Sequence, residues 1–355
     1  MTACNLFPVP CPLFPFMTEV LKLDPARPQQ EAIELAASII REGGLVAFPT
    51  ETVYGLGADA MNENAVRKIF EAKGRPADNP CIVHVAGREM LDRVAGDVPG
   101  KAERLIEKFW PGPLTLVLDR KMEVAAAVSA GLSTVAVRMP SDQIALELIR
   151  AASTPIAAPS ANVSGSPSPT TAAHVLEDLD GRIDLILDGG ATNIGIESTV
   201  LDVTCELPII LRPGWITQEM LSNTIGPIEH EASDAELQRS PGTRHRHYSP
   251  RARVILIERG SPELIERVCR ETLKEGAVGF IGHTQVTISN ARFYSIRLSE
   301  RAEDYAYSIY AALRELDSKS ACAIVVEGID ERGEGAAVMD RLRRAAAERI
   351  GNGET

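Results

Sequence analysis

The stretch from Gly43 to Asn79, GGLVAFPTETVYGLGADAMNENAVRKIFEAKGRPADN, constrains the fold more than any other part of the chain. Its apolar run Leu45 to Phe48 predicts a covered strand, and the proline that follows ends the strand because proline cannot donate to a ladder. Residues 50–52 then place three oxygen-bearing side chains where backbone pairing stops. Gly55 and Gly57 permit turns or close backbone approach that a side chain would block. The pattern predicts a strand that opens into a polar turn.

A capped helix follows this turn. Asn62 or Asn64 is suited to cap its N-terminus, and Gly74 is suited to end it. Lys73 and Arg75 flank that glycine, so two cations leave the helix together beside a reversal of the chain. The sequence therefore predicts the mouth of a binding site here, although exposed cations on an ordinary helix end would give the same pattern.

The length of 355 residues exceeds what one core usually supports, so we expect more than one domain. Strands and helices alternate over residues 17–217 and again over residues 251–355, which predicts two α/β domains, the second small and parallel. Residues 218–250 are rich in polar and turn-forming residues and are predicted to form a linker. Residues 1–16 are broken by prolines and lack a basic segment, which predicts a disordered leader and not a signal peptide.

The charge of the chain limits its partners. The formal charge is −12, and the first 250 residues carry −11 of it. A broad nucleic-acid surface should be basic, so the balance argues against one, while a small anion pocket remains open. Six scattered cysteines form no CxxC pair, which fits reduced thiols and predicts a cytoplasmic protein. No apolar run approaches the roughly 20 residues of a membrane span.

Two further strands place polar groups on one face. The run Cys81 to Val85 predicts a buried strand that carries His84, and Ser133 to Arg138 predicts another. Because side chains alternate along a strand, Thr134 and Arg138 share a face. An arginine and a hydroxyl group are therefore expected on the same side of the sheet.

The first domain lacks the familiar catalytic motifs and is rich in cations and hydroxyl groups. Neither GxxxxGK[ST] nor GxGxxG occurs between a strand and a helix, and no GxSxG is present. The candidate side chains are Lys73, Arg75, Arg138 and Arg212, with Thr52, Thr134, Ser160, Ser164, Ser168 and Ser198. Such a set is suited to bind a polyphosphate and a carboxylate, where catalysis comes from positioning and charge stabilisation.

Two short motifs, KGR at residues 73–75 and SAN at residues 160–162, resemble the KxR and SxN signature of YrdC-type domains. The strings PTETVYGLG, NPCIVHV, FWPGPLTLVL, VAVRMP, APSANVSG, ESTVLDV and LRPG match as well, in this order, from Leu45 to Gly214. With SPGTRHRHYSP and the second domain, the chain is similar to the long, two-domain form of the threonylcarbamoyl-adenylate synthases. The ordered set is specific, although each string alone is weak.

This resemblance implies a fold and a reaction. The fold is a twisted, open α/β sheet with a large, positively lined cavity, followed by a Rossmann-like α/β domain. The reaction converts ATP, L-threonine and bicarbonate into threonylcarbamoyl-adenylate and pyrophosphate, with Mg²⁺ held mainly by the ATP phosphates. A separate transferase complex would move the threonylcarbamoyl group to the adenosine next to the anticodon of tRNA. Stable tRNA binding and membrane binding are not expected.

The resemblance also implies roles for the residues at matching positions. L-Threonine would be bound by Thr52, His84, Arg138, the backbone at Ala158, and Ser198. ATP would be bound by Arg75, Asn79, Thr134, Ser160, Ser168, Arg212 and Tyr248. Lys73 and Arg75 would be the catalytic cations beside the phosphates, and Tyr248 would make the linker a lid. No protein ligands for a metal are implied.

Two alternative functions remain open. Enzymes that form carbamoyl-adenylate contain a related domain, but they place it among zinc-finger or kinase-like modules, and this chain has no CxxC pairs. An RNA-binding module is the alternative from another class, because related domains bind RNA. The −11 charge and the absence of interleaved aromatic and basic residues in the first domain count against it.

Overall fold

The structure of the chain is a computed structural model that describes residues 17–229, 232–237, 239–240 and 248–351. The predicted leader, residues 1–16, lies outside the described residues. So does most of the basic cluster that precedes Tyr248 in the predicted linker.

The first domain is built on one large mixed sheet. Its strands are β1 (Glu19–Lys22), β2 (Val46–Phe48), β3 (Gly55–Asp59), β4 (Ile82–His84), β5 (Leu114–Asp119), β6 (Thr134–Arg138), β7 (Ile156–Ala157), β8 (Leu185–Asp188), β9 (Thr199–Asp202) and β10 (Ile209–Arg212). Among the described residues, their order across the sheet is β1-β8-β2-β3-β7-β4-β6-β5-β9-β10. Strand β4 runs parallel to β6, and β5 runs parallel to β9, so the ends of several strands meet at one edge.

Helices cover both faces of this sheet. They are α1 (Gln30–Arg41), α2 (Glu63–Lys73), α3 (Arg88–Val94), α4 (Gly100–Phe109), α5 (Gln143–Ala152), α6 (Ala172–Leu179) and α7 (Gln218–Ile225). Helices α1 and α5 bury their apolar sides in one core cluster, whereas α2, α4, α6 and α7 contribute to another. The predicted twisted α/β sheet is confirmed in this arrangement of a sheet between two helical layers.

The helix predicted after the polar turn is confirmed, and its capping residue is Asn62. The Asn62 side chain accepts hydrogen bonds from the backbone N–H groups of Asn64 and Ala65, which makes Asn62 and not Asn64 the cap. Gly74 ends the helix with φ 58°, a conformation that glycine adopts without strain. The chain reverses there, which directs Lys73 and Arg75 toward the sheet.

The two glycines of the turn belong to strand β3, which the sequence pattern did not predict. At Gly57 a Cβ atom would lie 2.7 Å from Cε1 of Phe48 and 2.9 Å from Cγ2 of Ile156. The close approach expected for Gly57 is therefore real, but it occurs inside a strand and not in a turn. The edge strand β1 was also missed, and α7 lies within the range predicted as linker, where Thr217 caps it.

The second domain is a smaller parallel α/β sheet, as predicted. After the short helix α8 (Asp234–Leu237), its elements are β11 (Arg253–Ile257), α9 (Pro262–Thr272), β12 (Val278–Gly282), β13 (Phe293–Arg297), α10 (Ala302–Ser318), β14 (Ala323–Glu327), α11 (Gly335–Ala345) and β15 (Glu348–Ile350). Among the described residues the order is β13-β12-β14-β11-β15, and every pairing is parallel. Counted from β11 as strand 1, this order is 3-2-4-1-5, whereas Rossmann domains have 3-2-1-4-5. The second domain therefore resembles a Rossmann domain in architecture and not in strand order.

The two domains share apolar contacts. Val53 and Ile196 of the first domain belong to the same buried cluster as Tyr305 and Ile309 of α10. Gly195, at φ 88°, faces the α10 backbone so closely that a Cβ atom there would collide with the carbonyl of Ala306. The domains are therefore packed directly against each other at this point.

The helices that the structure describes include none with the length and apolar character needed to cross a membrane.

Candidate active site

A cavity of about 60 Å³ lies at the sheet edge where β4 and β6 end and where β9 begins. All five positions predicted for L-threonine line it: Thr52, His84, Arg138, Ala158 and Ser198. Four of the positions predicted for ATP line it as well: Arg75, Ser160, Arg212 and Tyr248. Residues from eight separate segments of the sequence thus meet in one pocket, as the resemblance implies.

Strand register brings His84 and Arg138 together. They are paired neighbours on the parallel strands β4 and β6, at the ends of both. The Arg138 guanidinium donates to the Thr52 hydroxyl at 2.9 Å and to the backbone carbonyl of Gly112 at 3.2 Å. Arg138 is 3% exposed, so its charge faces a low-dielectric pocket where it would bind an anion strongly.

A carboxylate already lies on this arginine. Nη2 of Arg138 is 2.6 Å from Oε1 of Glu51, and both side chains are buried. Glu51 precedes Thr52 in the polar turn, so the turn contributes both a carboxylate and a hydroxyl group to Arg138. The sequence indicated Glu51 only as one of three oxygen-bearing side chains in the turn, because its partner Arg138 lies 87 positions away.

His84 is uncharged at neutral pH. Burial, followed by the nearby charge of Arg138, lowers its pKa to about 3. Its Nδ1 atom is buried and has no hydrogen-bond partner within the described residues. A neutral imidazole with a free nitrogen in the pocket is suited to hydrogen-bond a polar substrate group, such as an amine or a hydroxyl.

Ser198 and Arg212 form the opposite wall. Arg212 ends β10, and its Nε donates to the backbone carbonyl of Ser198 at 3.1 Å, while Nη2 is 3.2 Å from the Ser198 hydroxyl. The Ser198 hydroxyl also lies 2.8 Å from that of Thr115 on β5. These contacts hold Ser198, Arg212 and Thr115 together through the protein's own hydrogen bonds.

Arg75 and Lys73 leave α2 together but have different surroundings. Arg75 lines the cavity, where its Nε and Nη2 donate to the carbonyls of Asn79 and Pro80 at 3.1 and 2.7 Å. Lys73 is buried, and its ammonium donates to the backbone carbonyls of Ser160 and Asn162. Lys73 thus binds the backbone of the SAN segment, residues 160–162, and does not line the cavity in this structure. Burial, followed by the charge of Arg75, lowers the Lys73 pKa to about 7.

Three other predicted ATP positions also lie outside the cavity lining. Thr134 is buried at the far end of β6 from Arg138, and Asn79 is fully buried behind Arg75. The Ser168 hydroxyl donates to the carboxylate of Glu197. Thr134 and Arg138 do share the alternate positions of β6, but the four steps along the strand place them about 13 Å apart. Their roles toward ATP stay predictions.

The cavity is smaller than the large one that the resemblance implies, and Tyr248, the predicted lid residue, is part of its lining. Tyr248 is 5% exposed and has φ 65°. A non-glycine residue in this left-handed region costs on the order of 1–3 kcal/mol and persists only where its surroundings enforce it. The predicted lid residue is therefore held down over the pocket.

Sequence reasoning missed three residues around this lid: Glu197, Tyr310 and Arg341. Glu197 lines the cavity and is buried, and its carboxylate accepts from Arg341 Nε at 2.7 Å. Its place in ESTVLDV, one residue before Ser198, was the signal available in the sequence. Tyr310 and Arg341 lie on α10 and α11 of the second domain, and their contacts across the domain boundary have no local signature.

Comparison with known proteins agrees with this geometry. Residues 38–214 match a family model described as Sua5/YciO/YrdC, telomere recombination, and residues 216–347 match one described as threonylcarbamoyl-AMP synthase, C-terminal domain. A Pyrococcus abyssi protein named threonylcarbamoyl-AMP synthase is 48% identical over 335 residues, which cover 91% of this chain and 96% of its own length. The chain belongs to the threonylcarbamoyl-AMP synthase family. The predicted family is therefore confirmed for both domains.

Two more members of the family extend the comparison. A Bacillus subtilis threonylcarbamoyl-AMP synthase is 47% identical over 325 residues, or 90% of this chain and 94% of its own length. A crystal structure of Pyrococcus abyssi Sua5 complexed with L-threonine aligns with a TM-score of 0.88 and 46% identity, over 94% of this chain and 99% of that one. The family is one of enzymes, and the two-domain fold extends across nearly all of this chain.

Proposed function

We propose that this chain is a nucleotidyltransferase that converts ATP, L-threonine and bicarbonate into threonylcarbamoyl-adenylate and pyrophosphate. The observation that carries the proposal is the shared cavity, in which Arg138, Thr52 and His84 face Arg75 and Arg212. One half offers a cation, a hydroxyl and a neutral imidazole for a small hydroxylated amino acid. The other half offers two arginines for phosphate groups.

The amino acid would bind through its carboxylate and its amine. Arg138 is the only arginine among the described cavity-lining residues that sits beside both Thr52 and His84, so the threonine carboxylate would bind there. His84 is neutral and would accept a hydrogen bond from the threonine amine. Ser198 would bind the threonine hydroxyl, which would distinguish threonine from amino acids with apolar side chains.

The chemistry needs no nucleophile from the protein. The threonine ammonium group first loses a proton, and the resulting amine adds to bicarbonate to give N-carboxythreonine with release of water. The new carboxylate oxygen then attacks the α-phosphorus of ATP, and the bond to the β-phosphate oxygen breaks as pyrophosphate leaves. Arg75 and Arg212 would offset the charge that builds on the phosphate oxygens in that step.

The Mg²⁺ that such a nucleotide brings would depend little on side-chain ligands from the described residues. Among the described residues, no group of three or more His, Cys, Asp or Glu side chains could hold a metal ion. Glu197, a carboxylate in the cavity lining, is already bound by Arg341. We therefore propose that Mg²⁺ is held mainly by the phosphate oxygens and water, the ligands that it prefers.

The product would be passed to a separate complex that transfers the threonylcarbamoyl group to tRNA, and the enzyme would work in the cytoplasm without stable tRNA binding. The acidic first domain supports this division of labour, because a tRNA surface should be basic.

The experiment that tests the proposal is pyrophosphate release from ATP and bicarbonate with L-threonine, with L-serine, and with no amino acid. We expect release to depend on an amino acid and to be faster with threonine. Release that is indifferent to the amino acid, or salt-dependent RNA binding without threonine-dependent ATP cleavage, would contradict the proposal.

A further inference from the structure

One buried carboxylate, Glu197, joins the two domains beside the cavity. It accepts hydrogen bonds from Arg341 Nε at 2.7 Å and from the Tyr310 hydroxyl at 3.0 Å, and both donors belong to the second domain. It also accepts a hydrogen bond from the Ser168 hydroxyl of the first domain. Glu197 therefore connects the second domain to a serine that is predicted to bind ATP.

The same two residues of the second domain contact the lid residue. The rings of Tyr248 and Tyr310 stack with centroids 5.6 Å apart and an interplanar angle of 25°. The Arg341 guanidinium lies 5.6 Å from the centre of the Tyr248 ring. The strained backbone of Tyr248 needs such contacts to persist. The position of Tyr248 is thus set by contacts with α10 and α11.

The arginine holds the first domain at two points. Besides Glu197, its Nη2 donates to the backbone carbonyl of Pro213 at 2.9 Å, directly after Arg212. Arg341 is 1% exposed, so this contact is buried. Arg341 is connected to Ser168 through Glu197, to Arg212 through the neighbouring Pro213, and to Tyr248 directly. A shift of Arg341 would therefore move three predicted ATP-binding positions at once.

Glu197 and Arg341 are both ionised near neutral pH. Burial would raise the pKa of Glu197, but the charges of Arg341 and Arg212 outweigh burial and lower it. The carboxylate therefore stays ionised, and its partner stays protonated. A buried pair of this kind fixes geometry, because either charge left alone would be costly.

We propose that Arg341 and Tyr310 are positioning residues of the nucleotide site, through which the second domain sets the places of Ser168, Arg212 and Tyr248. This inference rests on the proposed function, since it takes the three residues to be ATP contacts.

Three of the positions predicted for threonine, Thr52, His84 and Arg138, lie together around Arg138, and only Ser198 meets this network, through Arg212. The second domain should therefore affect ATP affinity much more than threonine affinity.

The test compares Arg341→Met with Arg343→Met in the full chain. Both residues lie on α11, but Arg343 pairs with Glu258 and Glu331, which belong to the second domain. We expect Arg341→Met to weaken binding of a non-hydrolysable ATP analogue by about tenfold, within the range of typical couplings between sites. Threonine binding should change by less than about twofold in both variants, and Arg343→Met should bind the analogue normally.

Two milder variants keep the test decisive if Arg341→Met does not fold. Tyr310→Phe removes one hydroxyl donor and keeps the ring on Tyr248, so we expect about threefold weaker analogue binding. Arg341→Lys keeps the charge and loses the second donor to Pro213, so its affinity should lie between those of the wild type and Arg341→Met.

The possible outcomes separate the inference from the proposed function. Folded Arg341→Met or Tyr310→Phe with normal analogue affinity would overturn the inference, and so would equal weakening of ATP analogue and threonine. Failure of the unchanged chain to bind the analogue at all would contradict the proposed function and, with it, this inference. Weakened analogue binding with normal threonine binding would support both.

Discussion

The carboxyl ends of the strands are used differently in the two sheets of this protein. Ligands of α/β proteins commonly bind at the carboxyl ends of strands. In the first domain these ends present Arg138 and Arg212 to a cavity, with Arg75 beside them. In the second domain, the ends of β12 and β14 meet at Glu327. That carboxylate accepts the backbone N–H groups of His283 and Thr284, each at 2.8 Å, and the Thr284 hydroxyl at 2.6 Å.

The difference shows where chemistry can occur. The N–H groups at the end of β12 could have bound an anion, but the protein's own Glu327 satisfies them, so the strand ends are closed. In the first domain the cations outnumber the carboxylates around the cavity, which leaves binding capacity for a ligand. Two α/β folds of similar local architecture thus differ in function because of a few charged side chains, and not because of topology.

The largest expected effect comes from Arg138, whose loss would isolate Glu51. Arg138→Met should lower the free energy of unfolding by about 3–5 kcal/mol, because a buried carboxylate would lose its partner. Denaturant unfolding measures this change. The exposed pair of Arg253 and Glu275 supplies the control, since Arg253→Met should cost no more than about 1 kcal/mol.

A second substitution makes this prediction sharper. Adding Glu51→Gln to Arg138→Met should restore part of the lost stability, because the uncompensated charge is removed. If the double variant were as unstable as the single one, the pairing of these two residues would not be what Arg138 contributes to folding.

Arg75 should affect turnover more than stability. Arg75→Ala should lower the rate of pyrophosphate release by about 100- to 1,000-fold, the typical cost of removing one group that stabilises transition-state charge. Thermal unfolding should confirm that the variant folds. Arg292→Ala in the second domain, at an exposed position, is the matched control and should turn over normally. Near-normal turnover of Arg75→Ala would remove it from the catalytic group.

His84 predicts a pH dependence of stability. Its folded pKa of about 3 lies below the value of about 6.5 expected in the unfolded chain, so the unfolded state binds the proton first. The contribution of His84 is therefore complete above pH 6.5 and is lost as the pH falls toward 3, by about 2 kcal/mol at pH 5. In His84→Gln, the difference in the free energy of unfolding between pH 5 and pH 7.5 should therefore be smaller by about 2 kcal/mol. An unchanged pH dependence in the variant would show that folding does not lower the pKa of His84.

The smallest effect is expected at the closed strand ends of the second domain. Glu327→Gln should cost about 1.5 kcal/mol of stability, because hydrogen bonds to a charged acceptor become neutral ones. Pyrophosphate release should stay within about twofold of normal, since Glu327 does not line the cavity. A large loss of turnover would mean that the second domain contributes chemistry, and the contrast between the two sheets would fail.

Local chemistry explains which parts of the fold could be predicted from the sequence. The cap at Asn62, the helix end at Gly74 and the strand ending at Phe48 each depend on neighbouring residues, and each is confirmed within one or two positions. Strand β3 was missed because two glycines weaken its pattern, and only packing against Phe48 explains Gly57 there. Edge strands β1 and β15 are short and depend on their partners.

The candidate site follows the same division. The nine predicted positions that line the cavity lie within motifs whose order is readable along the chain. The positions of Lys73 and Ser168 behind the lining depend on which carbonyl or carboxylate each one meets, and this is set by tertiary packing. Arg341 was not predictable at all, because an arginine on an amphipathic helix is normally solvated and its buried partner lies 144 positions earlier.

The apolar contact of Val53 and Ile196 with α10 has a practical consequence for anyone who divides this protein. Val53 lines the cavity and Ile196 precedes the cavity residue Glu197, so a first domain expressed alone would expose apolar side chains to water beside its own binding pocket. Such a fragment should self-associate, and its poor solubility would be easily mistaken for a defect in folding.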